Sequence, residues 1–433
     1  MNAALRSFEA QWRARTPDAL QPIREQAMQR FLKLGLPALR DETWRYTDLR
    51  SLAAQNFAAA ACDFGRDFQA SPPLSLVDAE QRAGTVALVN GCLPPPAAMP
   101  TLDGIEINSI RELSKVDPKS IMRFFEPASD ADQRRWVLLN TALFTDGLYL
   151  KITKAVRAPL VILHVSTGDA DQAAHPRVII EALPGSSATI IEHHITQGDV
   201  APLSNSNTHI ALRNDAQLEH YRVYATGRGA TQLDALDIHQ AAGSQCKQFT
   251  IALGGSLVRS SLDAHLSQPG TSLDSYSLLV GHEDRHLDCV NIVTHAAPNT
   301  RSRQTARAIA SDASRVIFNT KVIVKAGAVH SDSQQSCRGL LLSPQAEIDT
   351  RPQLEIHADE VKCAHGATTG RLDPDMLFYL LSRGLDRETA QSLLVYAFLA
   401  DVLTGMSVSS ARSAIESALI SQLPESQLLR NFR

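Results

Sequence analysis

The stretch NDAQLEHYRVYATGRGATQLDALDIHQAAG, residues 214–243, decides how the rest of the chain is read. It opens and closes on a small turn residue and carries a Gly-Arg-Gly turn at its middle. The two arms between are β-type runs without helical spacing. The same punctuation recurs on both sides: Gly185, Asn214, Gly243, Gly270, Asn299 and Gly327 stand 27 to 29 residues apart. A second row, Gly227, Gly255, Asp284, Asp312 and Pro344, falls between them. Two turns per repeat predict a stacked β-solenoid in which each coil buries its apolar side chains against the next. An antiparallel sandwich with evenly spaced turns is the competing architecture, because turns alone do not fix strand pairing.

Outward from this core, residues 147–370 form the predicted solenoid, 1–146 an N-terminal helical and mixed region, and 371–433 a C-terminal helical region. Residues 2–35 show helical spacing, with Leu20, Ile23, Met28, Phe31 and Leu32 near one face before a Gly35-Leu36-Pro37 stop. The polar run RDETWRYTDLR, 40–50, follows. Residues 55–125 are mixed, with a strand-like TVALVNGCL and a Pro94-Pro95-Pro96 break. A helix is predicted over 131–142, ending before Gly147, after which LYLKI starts a strand. Beyond the solenoid, Asp373 and Pro374 open a helix carrying Leu377, Leu380 and Leu381 up to Gly384. Asp386 opens a second, with Leu393, Leu394, Ala397, Phe398 and Val402 on its apolar spacing, and 408–422 supplies a third element. Such helices either cover the exposed end of the solenoid or dock a partner.

The chain has 433 residues, 44% of them hydrophobic and 20% charged, which suits a globular protein with enough apolar material for more than one core. A net charge of −4 supports neither nucleic-acid nor anionic-membrane binding. The opening MNAALRSFEAQWRART lacks the apolar segment of a secretory signal, and no run reaches the ~20 apolar residues needed to span a bilayer. The six cysteines, at 62, 92, 246, 289, 337 and 363, include no Cys-x-x-Cys and suit a reducing compartment. A cytoplasmic protein is the expectation.

The sequence has no phosphate loop, no strand-turn-helix GxGxxG, no GxSxG elbow and no HExxH, so ATP hydrolysis by this chain alone is not expected. His193 and His194 are adjacent on a strand and face opposite ways, which keeps them from sharing one ion. His164, His220 and His330 read as solenoid core or surface. In EIHADEVKCAHGAT, 355–368, the residues Glu355, His357, Asp359, Val361, Cys363 and His365 share one parity. The Ala-Asp-Glu at 358–360 is expected to bend the chain, leaving Cys363 and His365 as neighbours on one face. Thiolate and imidazole suit zinc or iron, but two donors leave a tetrahedral site half built. Packing of Cys363 as a small buried hydrophobe is the structural alternative.

The run EIDTRPQLEIHADEVKCAHGATTGRLD at 347–373, followed by LFYLLSRGL and AQSLLVYAFLADV, closely resembles the C-terminal signature of the SufB/SufD family, the scaffold proteins of the SUF iron–sulfur assembly system. DETWRYTDLRSL, 41–52, resembles its N-terminal Glu-x-Trp-[Lys/Arg]-Tyr-Thr motif, and KCAHGAT follows the SufD branch rather than the SufB branch. The resemblance implies a mainly β fold, a right-handed parallel β-helix core with helical ends. It implies a non-catalytic scaffold that pairs with a SufB-like subunit and docks SufC-type ABC ATPases. It further implies a transient cluster at the subunit interface with Cys363 and His365 among its ligands, no cofactor held stably by this chain alone, and an ATPase-docking region containing Phe378, Tyr379, Arg383 and Gly384. The isolated chain is expected to form a homodimer through an exposed edge. The alternatives are a stand-alone metal-binding β-solenoid using His357, Cys363 and His365, and a β-helix enzyme acting on polysaccharides.

Overall fold

Each repeat folds as two extended arms joined by tight turns, and the turn chemistry shows why the chain coils. Gly185, Asp215, Gly243, Gly270, Asn299 and Gly327 all hold left-handed backbone, φ between 57° and 84°. Their amides bond to the next coil: Gly185 to the Asn214 carbonyl at 2.9 Å, Asp215 to Ala242 at 2.9 Å, Gly243 to Pro269 at 3.1 Å and Gly270 to Asn299 at 3.1 Å. One turn column therefore has its own hydrogen-bond ladder. Asp215 takes the left-handed position expected at Asn214, whose carbonyl accepts the bond instead. In the second column Gly255, Glu283 and Asp312 are left-handed, so the expected Asp284 is displaced by one.

The structure, a computed structural model, describes residues 2–62, 64, 74–95, 99–125, 134–167, 171–198 and 201–422. Pro96 of the proline break and the start of the 131–142 helix lie outside them, and the described part of that helix is Arg135–Leu143. The arms stack into two sheets. One runs from Glu347–Ile356 through Arg315–Val324, His286–His295, Leu257–Leu266, Thr231–Gln240 and Leu203–Leu212 to Arg177–Ala182 and Leu148–Ile152. The other runs from Gly84–Val89 through Leu160–Ser166, Ser187–Thr196, Gln217–Ala225, Gln245–Ala252, Ser272–Gly281 and Arg301–Ala310 to Asp332–Leu341 and Lys362–Gly370. Nearly every pairing is parallel; the exception within these sheets is Ile105–Ser109, antiparallel to Leu148–Ile152. The fold is thus mainly β, a parallel solenoid with helices at both ends of the chain, and the sandwich is excluded.

Parallel stacking aligns like positions of successive coils, so inward residues form columns. Ile162, Ile190, Leu218, Ile210, Leu236, Leu262 and Val293 belong to one continuous apolar core. Outside the second sheet, Tyr221, Phe249 and Tyr276 stack at centroid spacings of 4.7 and 4.8 Å. The C-terminal helices Pro374–Ser382, Arg387–Leu403 and Ser409–Gln422 gather on this flank. Val395, Leu399, Val402 and Leu403 share a buried cluster with Tyr221, Phe249 and Leu278. Glu219 fixes them further, accepting from the Ser407 amide at 2.9 Å and its hydroxyl at 2.6 Å. The helices therefore cover a lateral face, not the end of the solenoid that sequence spacing left open to them.

The N-terminal helices Ala3–Arg13 and Gln21–Leu34 interrupt the expected 2–35 helix around Pro17. Together with Arg135–Leu143 they cluster with Ala173, Leu203 and Leu233 of the first sheet. The DETWRYTDLR run is strapped along the same sheet. Arg259 lies 3.7 Å over the Trp44 ring and donates to the Thr43 carbonyl at 2.7 Å, while Thr47 bonds to Asp288 and His286. Cys62 and Cys92 are joined by a disulfide with Cα atoms 5.7 Å apart. Their proximity across the fold is invisible in sequence spacing. Among the described residues no helix is long and apolar enough to cross a membrane.

Candidate functional site

The last coil, Glu347–Ile356 and Lys362–Gly370, ends both sheets, and among the described residues no strand lies against its far side. The contrast with the preceding coil is direct: Ser333, Gln335 and Cys337 are buried, whereas their register partners Cys363, His365 and Ala367 are half-buried or exposed. The same inward positions have lost their cover. An inner row that elsewhere is core becomes accessible here because no further described strand is stacked upon it.

The single ligand-rich face suggested by residues 355–365 is divided between two sheets. The bend falls where the Ala-Asp-Glu run predicts it, with Glu360 in left-handed backbone at φ 54°. Glu355 and His357 stay with the first sheet, 2.9 Å apart, and Lys321 lies 2.6 Å from Glu355. The His357 and Lys321 bonds hold the Glu355 carboxyl down at about 2. Cys363 and His365 lie across the bend in the second sheet, two residues apart and on its inward side. Cys363, like Leu354, Ala358 and Val361, packs against the end of the apolar core. Partial burial raises its thiol pKa, while the Ser333 amide pulls it back. Cys363 and His365 are therefore together, and His357 is not with them.

On the adjoining flank, Asp373 caps the first C-terminal helix by accepting from the amides of Asp375 and Met376. That helix exposes Met376, Phe378 and Tyr379 at 58%, 71% and 57%. Arg383 lies 5.1 Å from the Tyr379 ring, and Gly384, at φ 90°, ends the helix with its amide on the Leu381 carbonyl. Three neighbouring large apolar side chains in solvent make an unusual surface for a helix whose next neighbour is firmly packed.

A second polar cluster lies inside the solenoid, where sequence spacing gave only core histidines. His164 and His220 each bond Glu192 at 2.8 Å, and the Thr208 hydroxyl donates to it at 2.9 Å. Burial pushes the Glu192 carboxyl up, but the two imidazoles outweigh it and hold it well below the usual range. His194 stacks on His164 at 4.2 Å and on Tyr224 at 4.9 Å. Asp234 is matched by Arg222 and by the Tyr224 hydroxyl at 2.7 Å. His193 and His194 do face opposite ways, as alternation requires. The signal that could have found the cluster is the repeat itself, because residues about one coil apart, such as His164 and His194, stand side by side.

Comparison with known proteins agrees with both ends of the chain. The family model described as "SUF system FeS cluster assembly, SufBD core domain" matches residues 164–398, and that of the "SufBD protein N-terminal region" matches 5–162. The iron–sulfur cluster assembly protein SufD of Escherichia coli is 28% identical over 423 residues, covering 96% of this chain and 95% of its own. An iron–sulfur cluster assembly SufBD family protein of Synechocystis is 27% identical over 88% of this chain and 86% of its own. The SufD of Bacillus subtilis is 26% identical over 68% of each.

Proposed function

We propose, from the premise that the chain belongs to the SufBD family of the SUF iron–sulfur cluster assembly system, that it is a non-catalytic scaffold subunit of that system in the cytoplasm. It pairs with a SufB-like homologous subunit through its open last coil and docks SufC-type ABC ATPases on its C-terminal helices. Cys363 and His365 contribute to a cluster held transiently between the subunits. Relatives named as iron–sulfur assembly proteins along nearly the whole chain support the system. The observation that carries the pairing is the uncovered coil, whose two strands of 10 and 9 residues present unpaired backbone.

The chemistry follows from the donors. Nascent iron and sulfide are the cargo, and iron in such clusters takes thiolate and, less often, imidazole ligands. One thiol and one imidazole are half a tetrahedral set, so a homologous coil stacked on this one would complete the site from its own side. Splitting the set lets a movement of one subunit release the cargo, which four ligands from one chain would retain. ATP binding by the docked partner supplies that movement, since the phosphate loop is absent from this sequence. Phe378 and Tyr379, with the Arg383-Gly384 turn, form the apolar footing for the ATPase. In isolation the same edge pairs two copies into a homodimer.

Anaerobic affinity purification with iron and sulfide assays tests this. Wild-type chain should bring down a homologous β-solenoid subunit and an ABC ATPase together with iron and sulfide. His365→Ala should keep both partners and lose most of the iron and sulfide. Recovery of the chain alone, or unchanged iron and sulfide in the variant, would overturn the reading.

A further inference from the structure

Inside the second and third coils, one ring nitrogen of His164, one carboxylate oxygen of Glu192 and one ring nitrogen of His194 all lie within 4.8 Å of one another. The three residues are 4%, 1% and 2% exposed. Two imidazoles and a carboxylate are a common donor set for zinc and for iron(II), with bonds of ~2.0–2.2 Å. Two such donors on a tetrahedral ion stand about 3.4 Å apart, so the His164 Nε2 and Glu192 Oε2 pair, now 2.8 Å apart, has to open by about 0.6 Å to share one. The His194 and His164 rings are stacked 4.2 Å apart and 7° from parallel, so sharing an ion requires them to tilt toward each other.

Two further observations point to a cation. The first is charge. Asp234 is answered by Arg222, but Glu192 is met by His164, His220 and the Thr208 hydroxyl, none of them permanently charged. Its countercharge is therefore a protonated imidazole or a bound cation, because the neighbouring Arg222 is paired with Asp234. The second is unmet bonding capacity. Nε2 of His194 is buried without a hydrogen-bond partner, 3.5 Å from Asp234 Oδ2. The cluster also has a polar route. In strand register His220 is followed by Gln248, Ser275, Gln304, Gln335 and finally His365, one per coil, to the open end. The amide groups of Gln304 and Gln335 are likewise buried and unpartnered.

We infer that His164, Glu192 and His194 form a binding site for one divalent transition-metal ion of the zinc or iron(II) class inside the solenoid, separate from Cys363 and His365. Arg222, the register neighbour of Glu192, sets the limit on charge: with Glu192 and Asp234 ionised and Arg222 cationic, one divalent ion leaves the cluster at +1. The ion binds without redox change: it replaces the proton between His164 Nε2 and Glu192, and that proton moves to the unpartnered Nδ1 of the same ring.

The test uses the full chain carrying Cys363→Ala and His365→Ala, so that only the interior site counts. The protein is stripped with chelator, then loaded anaerobically with zinc(II) or cobalt(II), both directly and during refolding, and desalted. One equivalent should remain, and cobalt should give ligand-field bands of nitrogen and oxygen ligation without thiolate charge transfer. Glu192→Gln and His194→Phe, the latter keeping the ring stack, should each lower affinity at least 10-fold while both retain the parent far-UV dichroism. If one of them does not fold, the other decides. No retained metal after refolding, or retention unchanged in a folded variant, overturns the site and leaves the cluster a proton-only network.

Discussion

At the scale of single residues, the four cysteines outside the disulfide are separated by their surroundings. Burial pushes the Cys246 thiol up to about 12 and the Cys289 thiol to about 11, and raises Cys337 as well. Cys363, at the rim of the open coil, is the accessible one. Since the thiolate is the nucleophile, iodoacetamide at pH 8 on the folded chain should alkylate Cys363 at least ~10-fold faster than the other three. Peptide mass spectrometry against time measures this, and equal rates would show that the interior is not closed. The pairing of Cys363 with His365 was legible from strand parity alone. Their exposure was not, because nothing in the residue types says that the coil above is missing.

At the scale of elements, the first two C-terminal helices differ in burial, Pro374–Ser382 exposing its large apolar side chains and Arg387–Leu403 burying them. Leu399, 1% exposed, packs against the aromatic ladder, so Leu399→Ala should cost about 2–5 kcal/mol in a denaturant titration. Phe378 projects into solvent, and Phe378→Ser should stay within about 0.5 kcal/mol of the parent while losing ATPase co-purification. A stability loss at Phe378 equal to that at Leu399 would mean that the helix is packed, not presented. Sequence spacing recovered both helices and their caps. It could not say which surface they cover, since an apolar stripe fits a solenoid flank as well as its end. The stacked Tyr221, Phe249 and Tyr276, with Glu219 gripping Ser407, decided for the flank. The close fit at Gly405 agrees, because an added Cβ there would lie 2.9 Å from the Tyr276 ring.

For the whole molecule, the buried histidines set the response to acid. Burial depresses His175 and His209 to about 3 and His295 to about 4. Unfolded chains take up protons near pH 6.5, so these three groups stabilise the fold above that value, and the contribution is lost as pH falls toward their folded pKa values. Each adds up to ~1.4 kcal/mol per pH unit, or about 4 kcal/mol per unit together. His265 acts in the opposite sense, because its bond to Asp263 raises its pKa. Its contribution is present at low pH and fades on raising pH. The urea midpoint should therefore fall steeply between pH 6.5 and 5, and a flat profile would show that the histidine environments are hydrated.

The sequence by itself determined the coil and its ends. Left-handed turn residues at a near-constant interval, with extended arms between them, leave the chain little alternative to stacking, and helical spacing returns where the turns stop. Alternation also fixed Cys363 and His365 on one face, and the Ala-Asp-Glu run fixed the bend before them. Tertiary structure decided what depends on register between distant residues. Successive coils differ by a few residues in length, as from His194 to Tyr224 and from Tyr224 to Ala252, so turn length sets which side chains share a column. That register carries His164, Glu192 and His194 into one interior cluster and leaves the last inward row uncovered. Local preference acts within a strand, whereas both of these arrangements arise between strands about thirty residues apart.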